Sequence, residues 1–355
     1  MNLTAESSTR LSGRDLIMNT LNGLSIGIIV ALVPGALLNQ LLKALLPVFP
    51  QAAFFLTLTG MAAVLMAPIS AVCVGMMAGF SPIQTSSLAL AAIAGAGNFQ
   101  LRGATYTVAG SGDVINIAIT IMIGYLIIAL LGQTLKAYTI LLIPLLVLII
   151  AGGIGVLTLK PVGQLTQLIG MGIEQLTQLQ PIVMGVLIGM VFAVLIVSPI
   201  SSVGIAAAIG INGVAAGSAN LGIVAASFAL AIYGWRVNSV GTSLAHFLGS
   251  PKMQMANILS RPKLIVPVTL NAGIMGGLGA LFGVAGTPMS AGFGFAGLIG
   301  PIAAVNGYGA ANLLNIGLVT LLFFVIPIAL GIASNYLFNS RFDYFDSRDF
   351  ELDYS

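Results

Sequence analysis

Charge is what this sequence has least of. Only 6% of its 355 residues are Asp, Glu, Lys or Arg, against about 25% in an ordinary soluble domain, so a water-facing surface cannot be assembled from it. Cysteine is nearly absent as well. The single Cys73 excludes an internal disulfide, and no Cys/His spacing suits zinc. His246 is the only histidine, and no acid, base or metal partner accompanies it. No Ser–His–Asp, HExxH or CxxC arrangement exists, and no glycine cluster ends in the Gly–Lys–Ser/Thr of a phosphate loop. These absences exclude a soluble enzyme, and the sequence calls for no metal or cofactor.

Apolar residues are what it has in excess, at 58% of the chain with a mean hydropathy of +1.09. Between Leu16 and Phe338 the only acidic side chains are Asp113 and Glu174. The basic residues fall between apolar runs: Arg10 and Arg14, Lys43, Arg102, Lys136, Lys160, then Arg236, Lys252, Arg261 and Lys263. Cationic loops at membrane edges obey the positive-inside rule, so the net charge of +3 does not point to nucleic acid. The partner implied is membrane lipid, and the localisation expected is a plasma membrane with both termini cytoplasmic.

A spanning helix needs about 20 mostly apolar residues. Candidate segments are 16–46, 52–80, 83–98, 114–133, 138–158, 181–209, 213–235, 264–284, 289–305 and 310–338. The expectation is therefore an all-α integral membrane protein of about ten segments, with 83–98 and 289–305 reading as half-helices or re-entrant hairpins as readily as spans. Around this domain of residues 16–338 lie a cytoplasmic head, 1–15, and an acidic tail, 339–355, which either docks or stays unfolded. The stretch 159–180 has Leu and Ile at helical spacing and reads as an amphipathic interfacial helix. The polar stretch 236–263 reads as a cytoplasmic loop. Tyr106, Tyr125, Tyr138, Tyr233, Trp235, Tyr308 and Tyr336 stand near segment ends, as interfacial aromatics do. The 44 glycines read mostly as close-packing positions between helices.

One pattern recurs: Ala67-Pro68-Ile69-Ser70-Ala71, Ser198-Pro199-Ile200-Ser201-Ser202 and Thr287-Pro288-Met289-Ser290-Ala291. Proline removes a donor and collides with the carbonyl four residues earlier, so it breaks a helix. Inside a bilayer the freed groups need protein or a wet cavity around them, and paired interruptions in two halves of a transporter point to its binding site. Two pseudo-repeated halves with helices broken at these Pro-x-Ser sites are expected, Gly79 and Gly210 marking the ends of the first two breaks. The substrate-binding candidates are Ser70, Ser111, Asp113, Asn116, Ser201, Asn212, Ser290, Gly292 and Asn306. Ser218 and Asn220 follow the second motif. Asp113 has two readings, an N-cap before Val114 or a ligand for solute hydroxyls or a coupling cation, and Arg102 is either its partner or a loop charge near the interface. Amides and hydroxyls converging in a dry cavity suit a polyhydroxyl solute.

The stretches AGSGDVIN (109–116), GTSLAHFLGSPKMQMANILSRPKLIVPVTLNAGIMG (241–276) and AGFGFAGLIGP (291–301) resemble the phosphotransferase-system IIC-like membrane family of PfoR type. The resemblance implies a homodimeric sugar-type permease with a transport half built from broken segments. It also implies soluble phosphotransferase components as partners. No reactive Cys or His of a phospho-carrier domain is present in this chain, and no apolar hairpin carries the family's substrate-side glutamate. Phosphorylation of the solute would need separate chains. The alternative reading is a membrane receptor or regulator that binds a solute without moving it.

Overall fold

The computed structural model of the chain describes residues 13–131, 134–135, 138–309 and 311–352. Glu6, Arg10, Lys136, Asp353 and the placement of the head before residue 13 lie outside the described residues, as does the side chain of Arg102. In chain order the helices are α1 (Gly13–Leu45), α2 (Ala52–Val64), α3 (Met66–Met77), α4 (Pro82–Ala96), α5 (Val114–Leu131), α6 (Thr139–Leu146) and α7 (Gly153–Leu176). There follow α8 (Pro181–Ile196), α9 (Ser202–Ala208), α10 (Gly213–Tyr233), α11 (Val240–Leu248), α12 (Met255–Ser260) and α13 (Ile265–Leu281). The last four are α14 (Pro288–Phe293), α15 (Ile299–Gly307), α16 (Leu313–Thr320) and α17 (Ile326–Asn335). Among the described residues six helical stretches are long and apolar enough to cross a membrane, and the pair α2–α3, bent by 52°, makes a seventh if counted as one span. This is a multi-pass membrane protein.

Several expected segments take a different form. Residues 83–98 give α4, only 15 residues long. Residues 181–209 split into α8 and α9, and 289–305 into the short α14 and α15. The amphipathic stretch 159–180 is not a separate interfacial helix. It is the far end of one unbroken helical run, Thr139–Leu176, joined through a π-helical turn at Val147–Gly152. The fold is also not purely helical, because β1 (Phe99–Arg102) pairs antiparallel with β2 (Thr105–Val108). Gly103, with φ of +63°, opens the two-residue turn between them, the position where such hairpins favour glycine.

All three Pro-Ser motifs lie at interruptions. Leu65 separates α2 from α3 ahead of Pro68, residues 197–201 separate α8 from α9 around Pro199, and Pro288 is the first residue of α14. A proline in or before the first turn loses no helical hydrogen bond, because that donor has no partner there anyway. Gly79 and Gly210 take φ of +67° and +61° just beyond α3 and α9.

The buried side chains fall into two clusters. One runs from Leu16 to Ala151, on α1, α3–α6 and the π-helical turn Val147–Gly152, with Met255 added. The other runs from Ile173 to Phe350, centred on α8, α10 and α13. Helix α10 is the axis of the second unit, with 94% of its apolar window buried, while the windows of Thr139–Leu176 and Leu313–Arg341 are 28% buried and turn the rest outward. Close approach makes the axis possible. A Cβ on Gly222 would collide with the backbone of Gly189, and one on Gly189 with the carbonyl of Ala272, so α8, α10 and α13 touch backbone to backbone, as small residues permit in bilayers.

The stretch read from sequence as a polar cytoplasmic loop is packed, and the tail, for which docking and disorder both stood open, is packed too. In 236–263, Ser243, His246, Lys252, Met253, Gln254 and Met255 are all buried, the apolar face of α11 and the 3-10 turn Pro251–Gln254 being seated between the two units. The tail docks: Phe345 and Phe350 bury their rings against Tyr233, Arg261 pairs with Asp349, and Lys263 donates to the Tyr344 carbonyl at 3.0 Å. Tyr233 is consequently a core residue rather than an interfacial one, its hydroxyl bonded to Ser334 at 2.7 Å with Asn271 donating to both.

Candidate functional site

A cavity of about 350 Å³ lies between the two packing units. Its first wall is Ile28, Leu32 and Ala36 of α1 with Met66, Val114 and the loop Gly110–Gly112. The opposite wall is Ile196, the start of α9 from Ser201 to Gly204, and Gly292 and Phe293 of α14. Gly249, Ser250 and Lys252 close a third side. Its polar lining comes from the loop at Ser111, from Ser201 and Ser202 of the second Pro-x-Ser motif, and from Ser250 and Lys252.

The breaks are braced by side chains from elsewhere. Pro68 clashes with the carbonyl four residues before it, that of Val64. This carbonyl accepts from Asn98 Nδ2 at 3.0 Å, and the same amide donates to Gly110 O at 3.1 Å. Asn98 therefore ties the first break to the cavity loop. Four residues before Pro199 stands Leu195, whose carbonyl accepts from Lys252 Nζ at 3.4 Å. The same ammonium donates to Ser198 O and, at 2.9 Å, to Ile200 O. Three protons meet three acceptors. Burial pushes Lys252 below the ordinary lysine range. Burial likewise pushes His246 down, to about 4. Its Nδ1 donates to Thr242 O at 2.9 Å and its Nε2 accepts from Gln254 Nε2 at 3.1 Å, so the neutral ring is a packed spacer.

The residues picked from sequence are dispersed by the fold. Ser111, Ser201 and Gly292 line the cavity. Ser201 spends its hydroxyl accepting from Gly204 N at 2.9 Å, and the Gly292 carbonyl accepts from Ser202 at 2.8 Å. Asp113 stands between two lining residues and caps α5, its Oδ1 accepting from Asn116 N at 2.9 Å, so the N-cap reading describes its placement. Its pairing with Arg102 falls outside the described side chains. Asn116 belongs to the core: its amide donates to Gly95 O and Gly155 O at 2.6 and 2.7 Å, and its oxygen accepts from Thr158. With every polar atom engaged, it braces α4, α5 and α7 and has nothing left for a solute. Ser70 is buried against Gly27 of α1, with no hydrogen-bond partner among the described residues. Ser290 closes a capping box with Thr287. Asn212 faces a separate polar groove beside Glu174, and Asn306 an open pocket of about 420 Å³ with Gln40 and Thr287.

Sequence reasoning missed Lys252 and Asn98. The signal for the first was available: Lys252 is flanked by Pro251 and Met253 in an apolar context, and an ionisable residue in such a setting is a site candidate by default. A family model described as "Phosphotransferase system, EIIC" matches residues 18–352. Among curated proteins and among solved structures nothing matches.

Proposed function

Because the chain belongs to the phosphotransferase system EIIC family, a family of membrane transport components for sugar-type solutes, we propose that it is a permease that carries its solute by alternating access. The observation that supports this most is the place of the cavity, between two separately packed units and walled by the ends of interrupted helices. Polar backbone freed at membrane depth is tolerable only around such a hollow, and a site between two units can be opened to either side by moving one against the other. Ser111 and Ser201 bring hydroxyls and Phe293 an aromatic face for a sugar ring. Asp113 keeps one carboxylate oxygen on its cap, leaving the other to accept from solute hydroxyls.

In this reading the segments around Pro68 and Pro199 are counterparts in two repeated halves, and the protein works as a homodimer in the plasma membrane. Separate soluble components supply any phosphorylation. The test is counterflow of a labelled sugar in liposomes holding the purified protein. Saturable flux is expected, with Asp113→Asn weakening solute binding at least about tenfold. Unchanged affinity would remove Asp113 from the site. Binding without flux would replace the permease with a receptor.

A further inference from the structure

Among the described residues the cavity carries one ionisable lining side chain, that of Lys252. Lys252 is 7% exposed. The ion pair found among the described residues, Arg261–Asp349, lies elsewhere, so no described carboxylate is within pairing distance of the Lys252 ammonium. Asp113, between two lining residues, has one oxygen committed to capping α5. The carbonyls of Leu195, Ser198 and Ile200 solvate the ammonium, yet they add no negative charge. A buried ion without a counter-charge is costly, and proteins pair or ligate such groups.

The facing wall adds donors. The N–H groups of Gly110, Ser111 and Gly112 make no hydrogen bond among the described residues. The loop holds Gly110 and Gly112 at φ of +73° and +84°, a conformation glycine reaches without steric cost. Lys252 and a row of N–H groups without a protein acceptor thus line one hollow, and no described carboxylate among its lining residues answers them.

We infer that the solute is an anion: a polyhydroxy compound bearing a carboxylate or a phosphate, whose oxyanion lies beside Lys252 and takes the 110–112 loop as donors. This rests on the permease reading. The hydroxyls of such a compound suit the serines and its oxyanion supplies the missing counter-charge, whereas a neutral sugar leaves the lysine uncompensated.

Full-length protein in detergent is titrated with gluconate, glucose 6-phosphate, glucose and sorbitol, reading calorimetry and thermal shift. One or both anions should bind at least about tenfold tighter than either neutral compound. Gluconate alone would mark a carboxylate and glucose 6-phosphate alone a phosphate. Lys252→Gln keeps an amide donor for the carbonyls and removes the charge. It should weaken the anion at least about tenfold while leaving the neutral compounds unchanged. The inference is overturned if glucose binds as well as the anions, if neither anion binds, or if Lys252→Gln binds the anion unaltered. Should that variant fail to fold, the selectivity of the unaltered protein decides. Liposome flux of glucose but not of the anions would keep the permease and sink the anion. Anion binding without flux would do the reverse.

Discussion

The breaks at Pro68 and Pro199 share a sequence pattern and a mechanical problem, and the protein solves the problem twice with different chemistry. In each, proline leaves the carbonyl four residues back without its helical donor, and a buried side chain from another segment donates to it, although at the second break Ser198 N and Oγ also donate to Leu195 O, at 3.1 and 2.9 Å. At the first break the capturing group is the neutral amide of Asn98, which needs no counter-charge. At the second it is the amine of Lys252, which makes three bonds and brings an ionisable group to the cavity edge. An amide would have sufficed to satisfy a carbonyl at either place. The difference is that the second break places an ionisable group at the cavity edge and the first does not.

The comparison can be broken in order of expected effect. Lys252→Met strips the side-chain donor from Ser198 O and Ile200 O and one of several donors from Leu195 O, and should destabilise the detergent-solubilised protein by about 2–3 kcal/mol, read as a fall in Tm. A Tm within error of the unaltered protein would mean the second break needs no brace. Asn98→Leu leaves Val64 O and Gly110 O unpaired, and a loss of about 1–2 kcal/mol is expected. If this variant were hit harder than Lys252→Met, the ranking of the two braces would invert. The smallest change is Asp113→Asn, since both residues cap helices about equally well. Its Tm should move by no more than about 0.5 kcal/mol worth, so a loss of solute binding in that variant reports on the site rather than on folding.

Much of this architecture was legible before any coordinates. Scarce charge and long apolar runs dictated a membrane protein, because no other solvent suits such a chain. The Pro-x-Ser pattern located all three interruptions, and Gly79 and Gly210 both adopt the left-handed backbone that ends a break. Hydropathy reads a segment's average character, however, and is blind to where one side chain ends up. Lys252 lies in a stretch whose other charges, such as Arg261, do face outward, and the averaged signal made all of them look alike. Asn116 looked like a ligand because it is polar among apolar neighbours, but the close approach of α4 and α7 at Gly95 and Gly155 supplies its partners from within. The hairpin at 99–108 was missed because four-residue strands give too little alternation to detect, though Gly103 at its turn was a usable clue.

The docked tail changes how a shortened protein should be understood. Gln254 donates one amide to the His246 ring at 3.1 Å and to the Phe350 carbonyl at 2.8 Å, and Asn238 and Asn257 grip the same final turn. Two residues from Gln254 is Lys252. A truncation before Phe350 therefore removes no idle appendage: it takes the clasp off the shelf on which the cavity's lysine stands, and a truncated chain is a protein with a loosened floor.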